Sequence, residues 1–92
     1  MKSIIQQSSC CYFCGATQSL EEHHIFFGNP GRKISERNGF KVKLCPYCHR
    51  KGPKAPHRDR NSDLMLKRIA QRKYEESHTR EEFMELIGRN YL

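Results

Sequence analysis

The chain has 92 residues, 36% of them hydrophobic and none of them Trp, so any apolar core is thin and a staple such as a bound metal is expected. Basic residues outnumber acidic ones 17 to 10, a formal net charge of +7 that favours a polyanionic partner, nucleic acid first. No apolar run comes near the roughly 20 residues of a membrane-spanning helix, and the opening "MKSIIQQSS" lacks the apolar stretch of a secretory signal, so a cytoplasmic protein is expected.

In chain order, residues 1–9 are polar and unpatterned and read as a loose lead-in. A cysteine-rich part runs from Cys10 to about His57. Residues 20–27 read as a strand, and "GNPGRKISERNG" has the Gly, Pro and Asn content of a loop. "FKVKL" alternates: Phe40, Val42 and Leu44 face one way, Lys41 and Lys43 the other, toward solvent or a phosphate backbone. "CPYCHRK" predicts a short helix stopped at Gly52-Pro53, with a second loop, "GPKAPHRDRN", behind it. From about Ser62 the period becomes helical, with Leu64, Leu66, Ile69, Ala70 and Tyr74 on a broad stripe. A last helix opens at "HTREEF", where Thr79 and Glu82 have capping-box spacing. Phe83, Leu86 and Ile87 form its buried face and Gly88 its end.

Cys11-x-x-Cys14 and Cys45-x-x-Cys48 form two pairs. In a reducing compartment such pairs point to metal binding and not to disulfides. Together they supply four thiolates for tetrahedral Zn²⁺, a closed site with an architectural role. Cys10 is the spare thiol. Between the pairs stands "LEEHHIFFG", with His23 beside His24, and His49 directly follows Cys48. Neighbours on a strand point to opposite faces. Two adjacent histidines therefore suit two jobs, one holding a metal and the other acting as a base nearby.

With "HHI" at 23–25, the strand "FKVKLC" and "CPYCHR" at 45–50, the chain resembles the HNH, or ββα-metal, endonucleases, in particular small phage-type members stapled by paired CxxC. The resemblance covers residues 11 to about 57. It implies a small α+β fold: a zinc-stapled ββα-metal (HNH, treble-clef-like) core over 11–57, followed by C-terminal helices over 62–88, all within one domain of residues 1–92. It further implies His24 as general base and His23 and His49 as ligands of a divalent catalytic metal. Mg²⁺, Mn²⁺, Co²⁺, Ni²⁺ or Zn²⁺ would serve there, in addition to the structural Zn²⁺. His57 is the third expected ligand, with a phosphate-contacting role as its alternative. The family's middle Asn would stand five residues before Cys45, where this chain has Phe40.

The implied reaction is hydrolysis of DNA phosphodiester bonds in the cytoplasm of a bacterial or phage-infected cell. Arg50, Lys51 and Arg58 are candidate phosphate contacts, and Arg32 and Lys33, with Arg37, either hold phosphates or are solvated. The rival reading, from a different class, is a zinc-finger nucleic-acid-binding module without catalysis. The histidines discriminate, because a binding module has no need of them.

Overall fold

The computed structural model describes all 92 residues. Strand β1 (Glu21–His24) pairs antiparallel with β2 (Lys41–Leu44), His23 opposite Val42 and His24 opposite Lys41. Residues opposed in an antiparallel pair share a face. Glu21 and His23 therefore lie with Val42 and Leu44, while Glu22 and His24 lie with Lys41 and Lys43. The first face runs into the core, where Ile25, Phe40, Leu44, Leu66 and Phe83 are fully buried.

The segment read as a loop contains a helix, α1 (Gly31–Asn38). Its single aliphatic residue, Ile34, gives no readable period, and the turn-forming "GNPG" before it and "NG" after it dominate the composition. What holds it is local. Buried Ser35 donates its hydroxyl to the Phe26 carbonyl at 2.7 Å and accepts from the Phe26 N–H at 3.0 Å. At the far end Gly39 takes φ 72° and returns its N–H to the Ser35 carbonyl. A side chain there would strain the backbone and collide with the Lys2 carbonyl, so glycine is required twice over.

α1 also overturns the expectation for Lys41. This lysine does not face solvent or phosphate: it is buried, with Nζ 2.8 Å from Glu36 on α1 and 3.4 Å from Glu22 on β1. Alternation told which face Lys41 occupies but not that a helix covers it. Lys43 is half-buried.

The N-terminal residues are not a loose lead-in either. The Ile4 N–H donates to the Gly39 carbonyl, Ser3 Oγ to the Lys41 carbonyl, and the Lys43 N–H to Gln6 Oε1. They run along the outer edge of β2 and satisfy groups that an edge strand leaves open. The hydrogen bonds come from isolated polar side chains, which leave no hydropathy pattern.

A single π-helical turn (Tyr47–Lys51) follows β2, where a short helix was expected, and Gly52 ends it. Helix α2 (Arg60–Tyr74) starts two residues before Ser62 because Asp59 is its N-cap, accepting from the Ser62 N–H at 3.2 Å. Leu66 and Ala70 form its buried centre, while Leu64, Ile69 and Tyr74 are half-buried. Helix α3 (Arg80–Ile87) has the anticipated capping box between Thr79 and Glu82, and Gly88 closes it with φ 87°. Its Phe83 ring sits among Phe26, Phe40 and Tyr74, with centroids 5.9 to 6.3 Å away. No helix is long and apolar enough to cross a membrane.

Candidate functional site

The two CxxC segments meet. The sulfurs of Cys11, Cys14, Cys45 and Cys48 all lie within 4.8 Å of one another, and Cys14 Sγ is 3.7 Å from Cys45 Sγ. In each pair the N–H of the second cysteine approaches the sulfur of the first at 3.5 Å, Cys14 toward Cys11 and Cys48 toward Cys45. Burial pushes the Cys11 thiol up, but backbone N–H groups of Cys14, Cys45 and Phe13 outweigh it and bring it down to about 6. Burial and the neighbouring sulfurs of Cys45, Cys11 and Cys14 push Cys48 the other way, far up. Four thiolates crowded together repel, and a cation between them removes the conflict. The donor set fits zinc: four sulfurs, one cluster, and N–H groups ready to stabilise thiolate. Cys10 stays outside, its sulfur meeting only Ser8 Oγ at 3.4 Å.

A second cluster stands on the core face of β1. Ligand nitrogens of His23, His49 and His57 lie within 4.8 Å of one another, although the three come from β1, the π-helical turn and the loop before α2. His57 reaches in despite the eight-residue spacing from His49, its ring 5.0 Å from that of His23 and 5.4 Å from that of His49.

His23 is the informative member. It is 1% exposed, and neither Nδ1 nor Nε2 has a hydrogen-bond partner. Burial, then the charges of His49 and His57, hold it at about 3, so the ring is neutral at physiological pH. Burial and His49 lower His57 as well. Neutral imidazoles with free lone pairs are what a divalent ion binds.

His49 is oriented by a residue that the sequence did not single out. Its Nδ1 is 2.7 Å from Glu21 Oε1, and this bond, with Arg50 behind it, lowers the Glu21 carboxyl. An ionised Glu21 only accepts, so Nδ1 carries the proton and Nε2 is left to bind metal. That is the carboxylate–imidazole arrangement that fixes a ligand's tautomer. Glu21 shares a strand face with His23, which period-two reasoning contains but does not turn into a role.

Arg50 is correspondingly less free than expected for a phosphate contact, since its guanidinium pairs with Glu21. Arg58 donates to the Lys51 carbonyl at 2.9 Å. Arg32 and Lys33 are exposed on α1, and Lys51 is exposed beside the imidazole cluster's π-helical turn; none of the three forms an ion pair. Lys67 on α2 adds an unanticipated positive charge near His57: Nζ lies 4.8 Å from the Phe27 ring centre, and Phe27 packs on His57 at 4.7 Å. It is paired with Asp63 at 2.8 Å.

His24 points to the opposite face, as adjacent strand positions require, and is 8% exposed. Its Nε2 is 3.0 Å from Glu36 Oε1. Lys41 first, then His24 and the N-terminal ammonium, hold the Glu36 carboxyl down to about 2. Neither asparagine in this part of the chain reaches His24: Asn38 donates to the Ile34 carbonyl of its own helix, and Asn29 is exposed in the turn before α1. His78 lies away from both clusters, stacked on Tyr74 at 4.0 Å. Compared with family models, curated proteins and solved structures, the chain matches none of them.

Proposed function

We propose that the protein is a metal-dependent endonuclease of the HNH type, hydrolysing phosphodiester bonds in DNA. The observation that carries this reading is His23, buried with two unpartnered nitrogens against His49 and His57. Leaving a buried polar group unsatisfied costs about 1–3 kcal/mol. A binding module gains nothing from that cost, whereas loading a metal recovers it at one of the two nitrogens. The order of elements agrees: a Cys knuckle, a strand carrying His23-His24, a second strand, then the Cys-His turn.

His23, His49 and His57 would hold the divalent ion, with Glu21 fixing the ring of His49. Once bound, such an ion supplies charge stabilisation at the scissile phosphate and at the 3′ leaving oxygen. His24 stands on the opposite face of β1 from the imidazole cluster but at the strand's last residue. It is the base in this reading and takes a proton from the attacking water where the strand ends. The water oxygen bonds to phosphorus, the P–O3′ bond breaks, and the leaving 3′ oxygen takes a proton from solvent water, so that a 5′-phosphate and a 3′-hydroxyl remain. Arg32, Lys33 and Lys51 face solvent and, within the +7 net charge, draw the DNA backbone without reading sequence. The Cys₄ zinc stays a structural element.

Incubation of supercoiled plasmid with zinc-loaded protein and a panel of divalent ions tests this. Open-circular or linear DNA with 5′-phosphate ends is expected with Mn²⁺, Co²⁺ or Ni²⁺ and none with EDTA. Intact plasmid under every ion, with DNA retained on the protein, would establish the zinc-finger binding module instead.

A further inference from the structure

Glu36 meets His24 on the sheet face that does not carry the three-imidazole cluster. With His24 and Glu22 it forms a third group of potential ligands. A metal there is superfluous, because Lys41 Nζ already lies 2.8 Å from Glu36 and 3.4 Å from Glu22. The contact with His24 is the distinctive part. The carboxylate is ionised, so the hydrogen on the 3.0 Å bond belongs to His24 Nε2. His24 Nδ1 makes no hydrogen bond in the protein, and it is not sealed in, since the fully enclosed unpartnered ring nitrogens are those of His23. One nitrogen is fixed as a donor and the other is left open.

Glu36 is itself held in place. It sits on α1 next to Ser35, whose two hydrogen bonds to Phe26 tie the helix to the chain just past His24. Lys41, buried on β2 opposite His24, grips its second oxygen.

We propose that Glu36 is a positioning residue that locks His24 as the Nε2–H tautomer and turns Nδ1 out as the atom that receives the proton of water. The proposal rests on the nuclease reading above. It gives α1 a function: the helix delivers, from a segment between the strands, the carboxylate that orients the base. A charge-assisted hydrogen bond outweighs the small difference between imidazole tautomers in water, so one carboxylate suffices.

The test pairs a long-range ¹H–¹⁵N spectrum of the zinc-loaded protein, at mildly alkaline pH, with plasmid cleavage. His24 is expected to carry its proton on Nε2 in the parent. In Glu36→Gln the single amide oxygen stays with Lys41 Nζ and the amide N–H₂ faces His24 Nε2, so the proton moves to Nδ1 and the rate falls. Glu36→Leu should mix the tautomers and lower kcat by about 10–100-fold with KM unchanged, the usual loss for a group that orients another. A parent His24 protonated on Nδ1, or a folded Glu36→Leu cleaving at the parental rate, overturns the proposal. If Glu36→Leu does not fold, the parent and Glu36→Gln spectra decide. The two readings fail differently: a parent inert under every divalent ion sinks the nuclease, whereas a wrong tautomer in an active parent sinks only the role of Glu36.

Discussion

Cys45→Ser should unfold the protein, and so should prolonged chelation of its zinc. Structural zinc in small finger peptides has an apparent binding free energy of about 10–16 kcal/mol. The total stability of a domain is about 5–15 kcal/mol. One ligand set can therefore carry the whole margin. The core agrees with that arithmetic: it is a cluster of ten buried apolar residues, two of which, Cys11 and Cys45, belong to the four-cysteine cluster. Cys45 also directly follows β2, so losing it frees the strand's end from the first knuckle. Cys10→Ser is the control, expected to change stability by less than about 0.5 kcal/mol, as surface substitutions do. Metal analysis alongside thermal melting checks both. A zinc-free protein that stays folded would remove the zinc from the account.

His24→Ala should retain zinc, fold and DNA binding yet lose about 10²–10⁴ in cleavage rate, the usual contribution of a general base. The fold should survive because the neighbours of His24 keep other partners. Glu36 still holds Lys41, and Lys41 still holds Glu22. Single-turnover cleavage, with enzyme in saturating excess over DNA, separates the chemical step from binding. Parental rates there would show that His24 is not the base.

How much of this was legible in the sequence depended on the kind of signal. The Cys₄ cluster follows from spacing, because a CxxC pair closes on itself and one metal takes two pairs. The meeting of His23, His49 and His57 is what the family resemblance implies, and His57 joins it in spite of its eight-residue spacing from His49. The alternation of "FKVKL" and the Thr79–Glu82 cap follow from local geometry and are present. The misses share another cause. Helix α1 has eight residues and one aliphatic side chain, so its stability lies in Ser35, Gly39 and packing, none of which is periodic. Read as loop, it hid Glu36, and with it the partner of His24 and the burial of Lys41. Glu21 is illegible in the sequence for a related reason. A carboxylate two residues before a histidine acquires a role only when a distant turn brings His49 to it.

Calorimetric titration of Mn²⁺ into zinc-loaded protein, the parent beside His57→Ala, tests the three-imidazole metal site directly. His57 is the member of the cluster whose removal disturbs least, since it lies on the loop before α2 and is exposed. One Mn²⁺ is expected per parent chain, in addition to the zinc. Affinity at least about tenfold weaker is expected in His57→Ala, with cleavage partly restored by excess Mn²⁺. A parent that binds no Mn²⁺, or a His57→Ala protein that binds it with parental affinity, would contradict the three-imidazole site.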